Sequence, residues 1–272
     1  MMRDLRSVAG VLVLSKYVSN WYSVLAVYFN IISKTKARFR NGVEVPISEE
    51  AVHGGGVFHE ELFKQYLQDV GFTYKTKEDK KIVSIPGGLQ IMYLVNPSTF
   101  YYGSSFLHEI FVAKVYGGNN LDSRVVIDGG TFVGDSSLFF VSRGASKVYG
   151  FEVDRENYNL AQENVRLNNM QDKIHVFNQK CTYESVKNLI LQYGLKDIFL
   201  KLDCDGCEYD VIMNAEAKIF ENISDIVMEC HEEYKPLMQK MREMGFRVRR
   251  KKKSRCDVKR SPSMIYCDRK VA

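Results

Sequence analysis

The sequence lacks the features that mark fibrous, low-complexity or disulfide-stapled chains. Only 5 of its 272 residues are proline and 19 are glycine, which excludes a collagen-like or repetitive chain. No cysteine precedes Cys181, and the six cysteines of the C-terminal half do not form the dense pattern of a small secreted domain. We therefore expect a globular, cytoplasmic protein whose cysteines are reduced.

A long hydrophobic run is also missing. The uncharged stretch between Lys16 and Lys34 is interrupted by polar residues such as Asn20 and Ser23. It reaches only the lower bound of about 17–25 residues for a membrane span. We expect a packing helix there, with weak membrane association as the alternative. No small-residue cleavage site follows the first basic residues, which argues against a signal peptide.

The charge balance is modest. The formal net charge is +5, and the run from Arg247 to Arg255 supplies much of it. A basic loop explains this run more simply than a nucleic-acid groove does.

Pattern changes along the chain predict two parts. Apolar residues at helical intervals predict one or two helices before Lys34, and short strands and turns follow from Phe39 to Val95, apart from a helix at Glu60–Val70. We predict an N-terminal helical and α+β extension over residues 1–105. A second domain over residues 106–272 begins with a helix at Phe106–Tyr116.

From Val125 onwards, strands and helices alternate strictly, which predicts a parallel, doubly wound sheet. The predicted strands are Val125–Ile127, Lys147–Phe151, Ile174–Phe177, Ile198–Leu202 and Ile226–Met228. The predicted helices are Ser136–Arg143, Arg155–Asn168, Tyr183–Tyr193, Glu208–Ala215 and Tyr234–Met244. Two further strands, Phe246–Arg249 and Met264–Cys267, complete the sheet, and the loop between them carries the basic run.

A glycine turn follows the first strand of this sheet. Its spacing is Asp128-x-Gly130-x-x-x-Gly134, which does not match the G-x-G-x-x-G fingerprint of dinucleotide-binding loops. An acidic strand end suits a ligand with a cationic tail and would repel a pyrophosphate. The pattern therefore favours S-adenosylmethionine. The residues expected to bind it here are Asp128, Gly130, Thr131, Phe132, Gly134 and Asp135.

An acidic residue ends the next strand as well. Glu152 lies about 20 residues after the glycine turn, where a carboxylate can accept hydrogen bonds from both ribose hydroxyls. Val153 follows it. The segment after the third strand lies where such folds contact an adenine ring, and there we expect contributions from Asn178, Lys180 and Cys181.

Several motifs together resemble the FkbM family of class I methyltransferases over about Phe106 to Arg269. They are the glycine turn, the stretch Lys147–Glu152 and, most specifically, Lys201–Glu208, which matches K-x-D-x-E-G-x-E except that Asp205 replaces a glutamate. The glycine turn departs from the family as well, since Gly129-Gly130-Thr131-Phe132 stands where V-G-A-N is common.

The resemblance implies a Rossmann-like class I methyltransferase fold: a mostly parallel seven-stranded sheet with helices on both faces. It also implies metal-free O-methylation of a hydroxyl on a sugar, glycan or small natural product.

Four residues at or just after the strand ends are the candidates for catalysis: Asp203, Lys201, Glu208 and His231. Asp203 ends the fourth strand, where α/β sheets place ligands, and is the expected base. We expect Lys201 to point to the opposite face and Glu208 to follow on the loop. His231 ends the fifth strand and is a further candidate base. In the alternative, Asp205 or Glu208 caps the next helix and Lys201 is an edge cation.

Competing interpretations remain open. Cys204 and Cys207, with Cys230 and His231, could be drawn as a zinc site, but no second cysteine pair exists and we expect no metal. The basic run suggests RNA methylation, although no N/D-P-P-Y turn follows the fourth strand. A non-catalytic partner that binds the cofactor is the third possibility. The sequence does not predict an oligomeric state.

Overall fold

The computed structural model describes residues 8–49, 57–94, 103–117, 121–230, 233–252 and 263–269. These residues form two compact units. The first takes in the described residues up to Gly88 and Tyr93–Val112. The second takes in Leu89–Met92 and the described residues from Ala113 onwards.

The N-terminal half of the chain contains short helices and two small sheets. Its helices are α1 (Val8–Tyr17), α2 (Trp21–Tyr28), α3 (Val57–Asp69) and α4 (Gly103–Leu107), the last continuing into a π-helical turn at His108–Val112. β1 (Lys34–Arg38) and β2 (Glu44–Ser48) pair antiparallel, while β3 (Thr73–Lys77), β4 (Lys80–Ser84) and β5 (Gln90–Leu94) form a three-stranded sheet. Within the described ranges, no helix is long and apolar enough to cross a membrane.

The basic stretch after Lys34 forms strand β1, whose partner β2 contributes the buried residues Val45 and Ile47. One expectation for this half is wrong in detail. The helix predicted at Phe106–Tyr116 begins earlier and ends at Val112. Tyr116 therefore lies beyond it.

The second unit is built on a seven-stranded sheet. Its strands are β6 (Val125–Gly129), β7 (Lys147–Phe151), β8 (Ile174–Phe177), β9 (Ile198–Leu202), β10 (Ile223–Cys230), β11 (Arg247–Lys252) and β12 (Ser263–Asp268). The helices between them are α5 (Asp135–Ser142), α6 (Arg155–Leu167), α7 (Tyr183–Tyr193), α8 (Cys207–Met213), α9 (Ala217–Phe220) and α10 (Lys235–Glu243).

The strands follow the order β8–β7–β6–β9–β10–β12–β11. β6 to β10 are parallel to one another, and β12 runs antiparallel to both of its neighbours. This confirms the Rossmann-like, mostly parallel sheet predicted from the alternation. One bound of the basic run is corrected: β11 extends past the predicted strand end at Arg249 to Lys252, so the basic residues just after Arg249 lie on an edge strand and not in the predicted loop.

The helix boundaries follow from local capping. The Asp154 carboxylate accepts a hydrogen bond from the Asn157 amide at 2.8 Å and starts α6. Thr182 and Ser185 form a reciprocal capping box at the start of α7, and Gly194 ends that helix in the left-handed region.

One cysteine expectation is contradicted. Cys204 and Cys207 are joined by a disulfide, so these two are not reduced. Cys181, Cys230 and Cys267 are free and buried. Cys256 lies outside the described residues.

A buried asparagine anchors the glycine turn to α6. Asn164 is fully buried, and its side-chain amide donates to the carbonyls of Val133, at 2.9 Å, and Met92, at 3.0 Å. Its side-chain oxygen accepts from the Met92 amide at 2.7 Å. One side chain thus satisfies three backbone groups, one of them in the turn.

We predict that Asn164→Ala destabilises the protein by about 2–4 kcal/mol, because buried backbone groups that lose their partner carry a desolvation cost. Urea unfolding measures the effect. Asn159→Ala, an exposed position on the same helix, is the matched control and should cost no more than about 0.5 kcal/mol. Equal stability of the two variants would contradict the anchoring role.

Candidate functional site

The candidate site lies where β6, β7 and β9 end, since these parallel neighbours present their carboxyl ends at one edge of the sheet. The glycine turn crosses this edge. The amides of Gly130 and Thr131 both donate to the Phe151 carbonyl at 3.0 Å, and the Asp203 amide donates to the Gly129 carbonyl at 3.0 Å. The turn is therefore tied to both neighbouring strands.

Gly130 is required by close approach. Its φ is +78°, and an added Cβ would collide with the Asp203 carbonyl oxygen. The neighbouring Phe132 also has a positive φ, +50°, although it is not glycine. A non-glycine residue in this region stores strain, which clusters at ligand-binding sites.

A buried ion pair lies beneath the turn. Lys201 Nζ is 3.1 Å from Asp128 Oδ1, and both side chains are almost fully buried, at 2% and 0% exposure. Nζ also donates to the carbonyls of Gly129, at 3.1 Å, and Gly130, at 2.5 Å. The ammonium group therefore holds the backbone of the turn.

The other oxygen of this carboxylate is also occupied. Asp128 Oδ2 accepts hydrogen bonds from the hydroxyls of Ser136 and Ser137, each at 2.7 Å. Asp128 was expected to face the cationic tail of a ligand. Its charge is instead balanced inside the protein by Lys201.

The expectation for Lys201 is wrong. Residues two apart on a strand share a face, so Lys201 and Asp203 point to the same side of the sheet. Tyr116 contacts both, with its ring 5.1 Å from Lys201 Nζ and its hydroxyl donating to Asp203 Oδ2. Nor is Lys201 an edge cation, because β9 is an inner strand.

The charge state of Lys201 follows from its neighbours. Burial opposes the charged form, but the carboxylates of Asp128 and Asp203 outweigh it and raise the pKa of Lys201 above its ordinary value. These carboxylates favour the protonated ammonium form, and its donors are turned toward the backbone of the glycine turn.

Glu152 occupies the edge as predicted, at the end of β7. Its two carboxylate oxygens accept from the amides of Phe132, at 2.9 Å, and Asp154, at 2.8 Å. Burial raises the pKa of Glu152, and these two hydrogen bonds oppose the shift. Each oxygen keeps a lone pair, so the carboxylate can still accept from a vicinal diol.

Asp203 and Glu208 have different environments. Asp203 is half-buried at the end of β9 and accepts the hydrogen bond from Tyr116. Glu208 is buried and accepts from the amides of Cys204, at 3.0 Å, and Gly206, at 2.8 Å. Glu208 therefore shapes the loop after β9, while Asp203 is half-buried. The N-cap residue of α8 is Gly206, and no side chain caps this helix, which differs from the alternative that Asp205 or Glu208 would do so.

The remaining predicted residues are spread around this edge. Thr131 is buried, and its hydroxyl lies 2.6 Å from that of Ser137. Gly134 and Asp135 begin α5, and the Asp135 side chain accepts from the Ser136 amide at 2.8 Å.

The predicted cofactor-binding residues that follow β7 and β8 have different environments. Val153 is 61% exposed, which leaves an apolar surface beside Glu152. The side-chain amide of Asn178 donates to the backbone carbonyls of Glu152, at 2.9 Å, and Val153, at 3.1 Å. Lys180 is exposed, whereas Cys181 is buried, and burial raises the pKa of its thiol to about 12. His231 lies outside the described residues.

Three residues of the site were missed from the sequence. Ser136 and Ser137 solvate Asp128, and their position on the first turn after a glycine loop was an available signal. Tyr116 carries no such signal, because the sequence separates it from Asp203 by 87 positions.

No protein-family model matches the chain. Its sequence is 27% identical over 180 residues to the ribosomal protein L11 methyltransferase of Carboxydothermus hydrogenoformans, covering 65% of this chain and 53% of the relative. The chain thus spans about half the length of that curated relative.

Solved structures with a similar fold include an S-adenosylmethionine-dependent methyltransferase from Agrobacterium tumefaciens, with a TM-score of 0.49, 14% identity and 72% coverage of each chain. TrmK from M. capricolum, solved with S-adenosylhomocysteine, has a TM-score of 0.46 and 12% identity, covering 58% of this chain and 67% of TrmK. Similarity at this level says nothing about the substrate.

The strand order gives this unit a Rossmann-like fold with a mostly parallel seven-stranded sheet, the fold of the methyltransferase structures named above. The narrower resemblance to the FkbM family is not shown by the comparisons.

We predict that Lys201→Met lowers the free energy of unfolding by about 3–5 kcal/mol, because it leaves the Asp128 carboxylate buried without a partner. Lys187→Met is the control, since Lys187 pairs with Glu216 at the surface and its loss should change the free energy of unfolding far less. The double variant Lys201→Met with Asp128→Asn should recover part of the loss. Strictly additive losses in urea unfolding would show that the pair is not coupled.

Proposed function

We propose that the protein transfers a methyl group from S-adenosylmethionine to a hydroxyl group of RNA. The observation that carries the methyl-transfer part is the meeting of the glycine turn, Glu152 and Asp203 at the ends of three neighbouring parallel strands. The similarity to a ribosomal protein methyltransferase supports the same reaction class. The RNA acceptor rests on a different observation, the exposed cations of β11.

The residues at the edge fit the cofactor chemically. A carboxylate held by two backbone amides, as Glu152 is, presents its remaining lone pairs in a fixed direction for the two ribose hydroxyls. Val153 offers an exposed apolar surface for the adenine ring, and Asn178 holds the Val153 carbonyl in place. Bound there, S-adenosylmethionine supplies an electrophilic methyl group.

Asp203 is the proposed base. It is half-buried at the sheet edge, and Tyr116 orients it through a hydrogen bond. An acceptor hydroxyl that reaches Asp203 would give its proton to the carboxylate as the oxygen becomes a nucleophile. A single carboxylate suits a hydroxyl acceptor, and the loop after β9 lacks the N/D-P-P-Y turn of enzymes that methylate nucleobase amines.

The acceptor is proposed from charge. Arg247, Arg249, Arg250 and Lys251 are exposed on the edge strand β11 of the same sheet. Asp268 pairs with Arg247 and lies 3.9 Å from Arg249, which leaves Arg250 and Lys251 outside that pairing. Arg250 also lies over the Tyr234 ring at 3.9 Å, so the strand combines cations with an aromatic surface. Such a combination favours a phosphate backbone over a neutral sugar. The glycan acceptor predicted from the FkbM resemblance has no support in the comparisons.

Two substitutions separate binding from chemistry. Glu152→Ala should weaken S-adenosylmethionine binding at least about tenfold, because two charge-assisted hydrogen bonds are lost. Asp203→Asn should bind the cofactor within about threefold of the wild type and turn over roughly 100-fold slower. Calorimetry and transfer of a labelled methyl group measure the two effects, with the exposed Glu156→Ala as control. Unchanged turnover of Asp203→Asn would remove its assignment as the base.

The acceptor is tested by supplying labelled S-adenosylmethionine with purified RNA, ribosomal protein or glycan. We expect label in RNA, with binding that weakens steeply as salt rises. Arg249→Glu with Lys251→Glu should reduce RNA labelling at least about tenfold, while Lys196→Glu, exposed on another part of the sheet unit, should not. Label confined to the protein or glycan fraction would refute the RNA acceptor and leave methyl transfer intact.

A further inference from the structure

Three sulfur atoms from two loops converge behind the candidate site. They belong to Cys181, in the loop between β8 and α7, and to Cys204 and Cys207, in the loop after β9. All three lie within 4.8 Å of one another. The other free buried cysteines, Cys230 and Cys267, are not part of this group.

The disulfide between Cys204 and Cys207 uses only two of these sulfurs. Cys181 comes from a different loop, and its buried Sγ faces the glycine turn, where a Cβ on Gly129 would lie 2.9 Å from it. Cys204 and Cys207 are only half-buried, so the group is open on their side. The group therefore lies at the border of the core, with Cys181 on its buried side.

The spacing suits a thiophilic cation. Two cysteines separated by two residues chelate one metal ion in many structural zinc sites, and a third ligand from a distant segment fixes it. With zinc–sulfur bonds of about 2.3 Å, the sulfurs of a tetrahedral site lie roughly 3.8 Å apart. The three sulfurs in this structure lie within 4.8 Å of one another, which is compatible with that separation.

A fourth donor is also close. Glu208 Oε1 is 3.9 Å from Cys207 Sγ, and a carboxylate oxygen is an accepted zinc ligand. Because this oxygen already accepts a hydrogen bond from the Cys204 amide, water is an equal candidate for the fourth position. The three sulfurs define the site in either case.

We propose that Cys181, Cys204 and Cys207, once the disulfide is reduced, bind a thiophilic divalent cation such as Zn²⁺. Two equivalents of a thiol reduce the disulfide, giving two cysteine thiols and one external disulfide. On binding, the three thiols release three protons and form three bonds from sulfur to the metal. The ion joins the loop after β8 to the loop after β9, both of which border the cofactor edge.

The structure also explains why the sequence did not reveal this site. The pattern suggested Cys230 and His231 as partners of Cys204 and Cys207, and without a second pair a metal was not expected. The fold supplies Cys181 instead, from a loop that reaches the end of β9. The site therefore has three sulfur ligands and needs no second pair.

The test uses the full chain, reduced with a phosphine and freed of metal by a chelator, with its thiols counted before use. Titration with Co²⁺ should produce sulfur-to-cobalt absorption at one ion per chain, and Zn²⁺ should displace it. Cys181→Ser, Cys204→Ser and Cys207→Ser should each weaken binding at least tenfold. Cys230→Ser, a buried free cysteine outside the group, should bind as the wild type does.

A measurement on the unaltered chain guards against variants that fail to fold. Zn²⁺ should slow alkylation of Cys204 and Cys207 at least tenfold, as mapped by mass spectrometry. The proposal is overturned if the reduced chain takes up no ion, if uptake is the same in Cys181→Ser, or if Zn²⁺ leaves alkylation unchanged. None of these measurements involves S-adenosylmethionine or an acceptor, so they succeed or fail independently of the proposed methyl transfer.

Discussion

The buried pair of Lys201 and Asp128 is the interaction on which the candidate site depends. The two residues face each other in register on the neighbouring strands β6 and β9. Removing both charges from water is costly, and the cost is offset only when every donor and acceptor finds a partner. Lys201 meets this condition by donating to two carbonyls of the glycine turn. The pair therefore specifies one conformation of the turn.

Much of the sheet could be predicted from the sequence, because its signals are local. The bounds of β7, β8, β9 and α7 agree with the predicted ranges to the residue. The three strands are short apolar runs, and α7 has a helical period that ends at its capping residue Gly194. The N-terminal half has weaker periodicity, and there a charged segment became strand β1 through pairing with β2.

The site was predictable only where chain position alone determines it. Glu152 lies at a strand end a fixed distance after a glycine turn, so spacing sufficed to find it. The contacts of Asp128 with Lys201, of Asp203 with Tyr116 and of Cys204 with Cys181 could not be found in this way, because each joins distant parts of the chain and depends on strand register or loop path. The error about Lys201 shows the same limit, since its role follows from what faces it across β6 and not from its own strand.

The carboxylates of the site divide according to depth. Asp128 is fully buried, its charge is matched by the Lys201 ammonium group, and its second oxygen accepts from two serine hydroxyls. Glu208 is also buried, and its oxygens accept from the amides of the loop after β9. Glu152 is buried at 8% exposure and Asp203 is half-buried, so both lie nearer the surface than Asp128 and Glu208 do. The deep groups thus set the backbone geometry, and the outer two lie where they can meet ligand atoms. Glu152 combines both roles, because each of its oxygens accepts from a backbone amide and keeps a lone pair for a ligand.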